Sequence, residues 1–156
     1  MRRSDREITE DAAIDRIIQS CDCCRIGFSD GGDVYIVPLN FAYTHAGGKR
    51  IFYFHGASQG RKIRLIKRNP RVGFELDTGH AINRAETPCG FSFRFQSVIG
   101  RGTVFPVEDE AEKQTALRLI MAHYSGRSDW TFGGDAVGRC AVFRLEADEL
   151  TCKEHL

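Results

Sequence analysis

Residues 50–62 read Arg50-Ile51-Phe52-Tyr53-Phe54-His55-Gly56-Ala57-Ser58-Gln59-Gly60-Arg61-Lys62. An aromatic, β-favouring run ends, small residues turn the chain, and a helix opens with two cations. Asn69-Pro70 stops that helix, because proline pushes the residue before it out of helical backbone. The first amides of a helix lack intrahelical partners, so they favour an anion, and adjacent basic side chains strengthen the place. A phosphate monoester suits it. A plain surface corner with Arg61 and Lys62 solvated has the same spacing and stays open as the other reading.

Working outward, most neighbouring segments read as strands. Residues 25–29 precede the turn Asp30-Gly31-Gly32-Asp33. A β-branched and aromatic run over 34–43 follows, then the turn 46–49 and the strand 50–55. These three strands are expected to form an antiparallel meander. Pro38 lies inside the second and donates no ladder hydrogen bond, so it marks an edge or bulge. Beyond the helix come a strand over 71–77 and a polar, irregular stretch over 78–90. Phe91, Phe93 and Phe95 then alternate with polar residues, which predicts a half-buried strand with the phenylalanines in the core. Gly100 and Gly102 predict a bulge or bend before a further strand ending near Pro106.

Helices flank this β-rich stretch. Thr9 reads as the N-cap of a helix ending near Cys21, with Ile14, Ile17 and Ile18 on one face. A longer helix is predicted over 108–123, with the stripe Leu117, Ile120 and Met121. Residues 124–139 read as a Gly-rich loop, and 140–146 as the last strand. The whole predicts a mainly β protein with a few α-helices, one domain over 1–156. Its core is a six- to seven-stranded antiparallel β-barrel, closed or nearly so.

Composition removes several classes of function. The chain has 156 residues, 42% hydrophobic and 28% charged, as expected of one soluble domain. A formal net charge of +1 gives no global pull toward nucleic acid or an acidic membrane. No apolar run approaches the ~20 residues of a membrane helix. Arg2-Arg3 has no apolar stretch behind it and fails as an export signal, so a cytoplasmic setting with reduced thiols is expected for the six cysteines. Cys21 and Cys24 have C-x-x-C spacing, but Cys89, Cys140 and Cys152 are isolated and supply no second pair for zinc. Of the five histidines, His45 falls in a predicted turn, His80 in a loop, His155 in the tail, and His123 at a helix end. Only His55 follows a strand into the candidate corner.

Two further motifs matter. In Val37-Pro38-Leu39-Asn40-Phe41, backbone freed by Pro38 and the polar Asn40 would frame the edge of a flat heterocycle; an ordinary bulged edge strand is the alternative. Ser97-Val98-Ile99-Gly100-Arg101-Gly102 joins a hydroxyl to two glycines that allow close backbone approach, or simply bends the sheet.

In combination, Tyr53-x-His55-x-Ala57-x-x-Gly60-x-Lys62, Asn69-Pro70-x-Val72, Ser97-Val98-Ile99-Gly100-x-Gly102 and Val37-Pro38-Leu39-Asn40-Phe41 resemble the nitroimidazole-resistance branch of the pyridoxamine-phosphate-oxidase-like flavoproteins. The opening from Arg2-Arg3 to Glu7 fits as well. The resemblance spans about residues 1–143, with Gln96 in place of a basic residue and the poorest match after Tyr124. It implies an FMN-binding split barrel that forms a homodimer, with FMN at the interface; FAD also presents a phosphate. It places the flavin phosphate near Arg61 and Lys62, beside Ser58, and the ring near Val37, Pro38, Leu39 and Asn40. Ser97 and Val98 lie by the cofactor, and His55 near flavin or substrate as the catalytic candidate. The implied activity is an FMN-dependent oxidoreductase. It would pass electrons from NAD(P)H to a small acceptor such as a nitroaromatic, without nucleic-acid or membrane partners. The alternative is a non-catalytic module that binds flavin, haem or a deazaflavin.

Overall fold

The computed structural model describes residues 4–156, with all side chains except those at 135 and 136. The Arg2-Arg3 pair lies outside the described residues. Strands hold 50% of the chain, so the mainly β expectation is met. The elements after a short 3-10 turn (Ser4–Arg6) are β1 (Glu7–Ile8), α1 (Asp11–Gln19), β2 (Cys24–Asp30), β3 (Asp33–Leu39), β4 (Phe41–Ala46) and β5 (Lys49–Ala57). Then follow α2 (Arg61–Arg68), β6 (Arg71–Asn83), β7 (Ser92–Pro106), α3 (Glu110–Ser125), α4 (Gly134–Arg139) and β8 (Cys140–His155). The strands form one antiparallel, unclosed sheet in the order β3-β2-β6-β7-β8-β5-β4, with β1 added to β8.

Several local expectations change for identifiable reasons. The run 34–43 breaks at Asn40 into β3 and β4, which lie at opposite ends of the sheet. The expected meander is therefore two separate hairpins, β2–β3 and β4–β5. Pro38 does sit on an edge strand, opposite Arg25. Thr9 is not the cap of α1. Residues 7 and 8 pair with Lys153 and Cys152, which keeps the chain extended until Glu10 takes the cap position without a side-chain bond. α3 starts later than predicted because Asp109 caps it, accepting from the Glu112 amide at 2.8 Å.

The first part of the stretch 78–90 is strand, and the rest is irregular apart from a 3-10 turn at Pro88–Gly90. β6 runs on to Asn83, with a bulge between Thr78 and Ala81 where Gly79 has φ 69°. The two strands expected around Gly100 are one, β7, with a register shift between Arg101 and Gly102. Gly100 lies under the Phe74 ring, and Gly102 against the Glu146 carbonyl, so neither site has room for a Cβ. The last strand continues to His155, so His155 and Cys152 belong to the sheet. His45 is in β4 and His80 in β6. Residues 124–139 contain α4, whose Val137 is buried.

Phe91 and Phe93 are not core; they are 48% and 49% exposed. The tips of β6 and β7 pair only with each other there, because β8 joins β7 no further out than Phe95 opposite His155. Alternation without a third strand or a covering helix gives no interior. The true core lies inside the curled sheet: Phe28, Phe41, Phe52, Phe54, Leu76, Val98, Val104 and Leu145 are almost fully buried, with Ile14, Ile17 and Ile18 of α1 over one end. A second, smaller cluster on the outer face of β5 and β8 joins Val142, Val137, Ala116 and Leu117.

Candidate functional site

The corner between β5 and α2 is built as its sequence implies. β5 ends at Ala57, and Gly60 (φ 124°) turns the chain into α2. No side chain caps α2, so its first amides stay open to a ligand. Lys62 folds back over Gly56; a Cβ on Gly56 would lie 2.6 Å from Nζ. The ammonium also lies 5.4 Å from the centroid of the Phe143 ring. No carboxylate pairs with Lys62 among the described residues. Its partial burial lowers its pKa, with a smaller opposing effect from Cys140. A desolvated, unpaired ammonium beside open helix amides is a site for an anion.

Arg61 is placed differently from Lys62. Its guanidinium bonds Asp30 at 2.8 Å and stacks 4.5 Å from the Tyr35 centroid, and Arg68 shares Asp30 at 2.6 Å. These contacts pin the start of α2 to the β2–β3 hairpin, which brings β3 toward the corner. Within β3, Val37 and Leu39 pack inward, whereas Pro38, and Asn40 just beyond the strand, are exposed. Asn40 lies near the Tyr124 hydroxyl, which accepts from the Phe41 amide at 3.1 Å and donates to the Asp22 carbonyl at 2.8 Å.

His55 points away from the core, as its alternation with Phe52 and Phe54 predicts. Burial lowers its pKa first, and the charge of Lys62 adds to that, so the imidazole is neutral at pH 7. Its Nδ1 lies 3.8 Å from Cys140 Sγ. Ser58 is exposed in the turn. Ser97 lies elsewhere: it lines a shallow cavity of about 170 Å³ with Ile99, Thr151 and Lys153 on the outer sheet face. The side chain of Val98 is wholly buried, leaving only its backbone to face a ligand.

One chain therefore brings Lys62, His55 and Ser58 to the same corner, with Lys62 on the Gly56 and Phe143 face of the sheet and His55 on the other, and ties β3 to it through Arg61, but keeps Ser97 apart. His55 is opposite Val142 and Ser97 opposite Lys153 on the same strand, β8. That separation is roughly 36 Å of strand contour at ~3.3 Å per residue. Sequence reasoning missed Cys140, Asp30 and Tyr124. Cys140 joins the corner only through its register opposite Ala57, and Tyr124 only through the docking of α3.

A family model described as pyridoxamine 5'-phosphate oxidase matches residues 10–154. Among solved structures, a candidate 5-nitroimidazole antibiotic resistance protein from Bacteroides thetaiotaomicron is 32% identical with a TM-score of 0.82, covering 95% of this chain and 86% of its own. A flavocytochrome from Azotobacter vinelandii has 19% identity and a TM-score of 0.80, covering 100% of this chain and 72% of its own. An FAD and heme binding protein from Mycobacterium smegmatis has 15% identity and a TM-score of 0.81, covering 96% and 73%. The last two likenesses carry the split-barrel fold alone. A search of curated proteins finds no match.

Proposed function

Because the chain belongs to the pyridoxamine 5'-phosphate oxidase family, we propose that it binds a flavin, FMN in the first instance, and works as a flavin-dependent oxidoreductase. The observation that carries this reading is Lys62, a partly desolvated ammonium with no carboxylate partner among the described residues, held over Gly56 beside the uncapped start of α2. Such a cation fits a phosphate monoester. Arg61, held by Asp30, supplies a second positive charge next to it. Ser58 and the amides of the turn donate to the same anion. Pro38 and Asn40, with the backbone of Val37 and Leu39, border the ring.

The flavin, when bound, supplies hydride and electron transfer between a reduced nicotinamide and a small acceptor. The chain's own contribution is anchorage and orientation. His55, neutral and outward-facing, would hold or take up a proton at its free ring nitrogen on the substrate side. Ser97 and the Val98 backbone enter the site from a second copy of the chain, since within one copy they lie far along β8 from His55. This reading makes the protein a homodimer acting in the cytoplasm, with NAD(P)H and a nitroaromatic-type acceptor as its partners.

The test is steady-state oxidation of NADH and NADPH by the FMN-loaded protein with a nitroaromatic acceptor. Turnover above that of free FMN is expected. Stoichiometric, tightly held flavin with no turnover would leave a non-catalytic flavin-binding module.

A further inference from the structure

The curled sheet has a mouth at the end that α1 covers. There Ile8 of β1 is opposite Cys152 of β8, and Gln96 of β7 is opposite Glu154 of β8. Cys152 and its β7 partner Val98 are buried, and Ile8 packs on the core. By strand alternation Gln96 and Glu154 share that inner face, while Ser97 and Lys153 take the outer one. Ala13, Arg16 and Ile17, spaced i, i+3 and i+4, turn one side of α1 toward them. Helix and strands together enclose a cavity of about 340 Å³. Small-molecule pockets run from roughly 300 to 1,000 Å³, and barrel mouths are among the places that hold them.

The lining is divided in three. Ile8, Ala13 and Ile17 supply apolar surface. On the helix side, the Arg16 guanidinium forms no hydrogen bond or ion pair among the described residues. On the strand side, Glu154 accepts from Gln96 Nε2 at 3.1 Å, its only side-chain bond among the described residues. Carboxylate lone pairs and Gln96 Oε1 therefore remain as acceptors. Arg16 and Glu154 line one cavity and yet do not pair with each other, so the space between them separates a cation from an anion. A guanidinium presents a planar fork of donors matched to a carboxylate. A carboxylate beside an amide oxygen is a pair of acceptors matched to an ammonium.

We propose that this cavity binds a small zwitterion, an α-amino acid with an apolar side chain. Its carboxylate takes the fork of Arg16, its ammonium donates to Glu154 and Gln96 Oε1, and its side chain covers Ile8, Ala13 and Ile17. A ligand of one charge leaves the opposite wall unmet. The occupant bridges α1 to β7 and β8, so its binding free energy adds to the stability of the fold. The cavity is on the other face of the sheet from Ser97 and Lys153. Glu154 is also twelve positions along β8 from Val142, the partner of His55. The site is therefore separate from the β5–α2 corner and does not depend on a bound flavin.

L-leucine is the probe, with isocaproate, which lacks its ammonium, and isoamylamine, which lacks its carboxylate. Binding to the protein is measured by isothermal titration calorimetry at millimolar ligand, with melting temperature followed on the same samples. Leucine is expected to bind and to raise the melting temperature. Each analogue should bind at least about tenfold more weakly, the loss of one charge-assisted contact. Arg16→Gln and Glu154→Gln, checked for fold by circular dichroism, should each weaken leucine binding by a similar factor. Ala13→Leu, which fills the apolar floor and keeps both charges, should abolish it. The site is overturned by no leucine binding at millimolar concentration, or by an analogue that binds as tightly as leucine. Leucine affinity unchanged in folded Arg16→Gln and Glu154→Gln overturns it as well.

Discussion

His55, Gly56 and Lys62 set the chemistry of the corner, and each makes a distinct prediction. His55 projects outward from β5 with no packing role in the aromatic core, so His55→Ala should leave flavin content and melting temperature near normal. Reduction of a nitroaromatic should fall by ~10²-fold, the lower end for a lost acid–base group. Unchanged activity per bound flavin with a sharply lower melting temperature would make the residue structural. Gly56 leaves room for the Lys62 ammonium. In Gly56→Ala the new methyl meets only the end of a flexible side chain, so the fold should survive while Lys62 is displaced. FMN binding, followed by quenching of flavin fluorescence, is expected to weaken; FMN affinity equal to the parent's would separate Lys62 from the phosphate. The glycine, the histidine and the cations were legible in the sequence because a strand, a small-residue turn and a helix start follow one another locally. Cys140 was not, because its neighbours come from a register between segments more than eighty residues apart.

At the scale of elements, α1 is held to the sheet by a polar cluster as well as by its isoleucines. Asp15 accepts from the Tyr43 hydroxyl at 2.6 Å and lies 2.8 Å from His45 Nδ1, while Arg50 bonds Asp11 at 2.5 Å. Burial opposes the ionised form of Asp15, but the bonds from Tyr43 and His45 and the charges of His45 and Arg50 outweigh it, and its pKa is lowered. A depressed carboxylate stabilises the fold above its unfolded value of ~3.9 and loses that contribution as pH falls through the folded value. Asp15→Asn should therefore be less stable than the parent at neutral pH, with the gap closing below about pH 4. Urea melts across that range check it, and a gap that stays constant into acid would remove Asp15 from the account. The isoleucine face of α1 was legible from its 3.6-residue period. Asp15, one position away, gave no such signal, because polar attachment leaves no periodicity. The exposed β6–β7 tip shows the converse: Phe91 and Phe93 had a strand's alternation, but which strands flank a residue decides whether alternation leads to a core.

At the scale of the whole molecule, the outer face of β2, β3, β6 and β7 carries apolar side chains that a single chain leaves exposed. Val34, Ile36 and Ile99 are 72%, 61% and 58% exposed, and Gly27 and Gly73 line a depression of about 360 Å³ beside Val34 and Ile36. Exposed apolar side chains clustered on one face favour association with another copy. Ile36→Asp should give a monomer by light scattering at micromolar concentration, with flavin binding reduced because Ser97 would no longer reach the site. A parent protein that is monomeric with flavin bound contradicts the dimer. The mainly β, antiparallel architecture was legible from strand spacing, but the open sheet and its strand order were not, because β3 and β4 are adjacent in sequence and at opposite ends of the sheet. The central claim is that Lys62 and the start of α2 hold a flavin phosphate. The most direct measurement compares FMN with riboflavin, which lacks only the phosphate, by fluorescence quenching on the parent and on Lys62→Ala. A charge-assisted hydrogen bond of ~1.5–3 kcal/mol predicts a roughly ten- to hundredfold preference for FMN in the parent. That preference should be largely lost in Lys62→Ala and less affected in Arg61→Ala, whose guanidinium is shared with Asp30. Equal affinities for FMN and riboflavin, or no flavin binding by the parent, would contradict it.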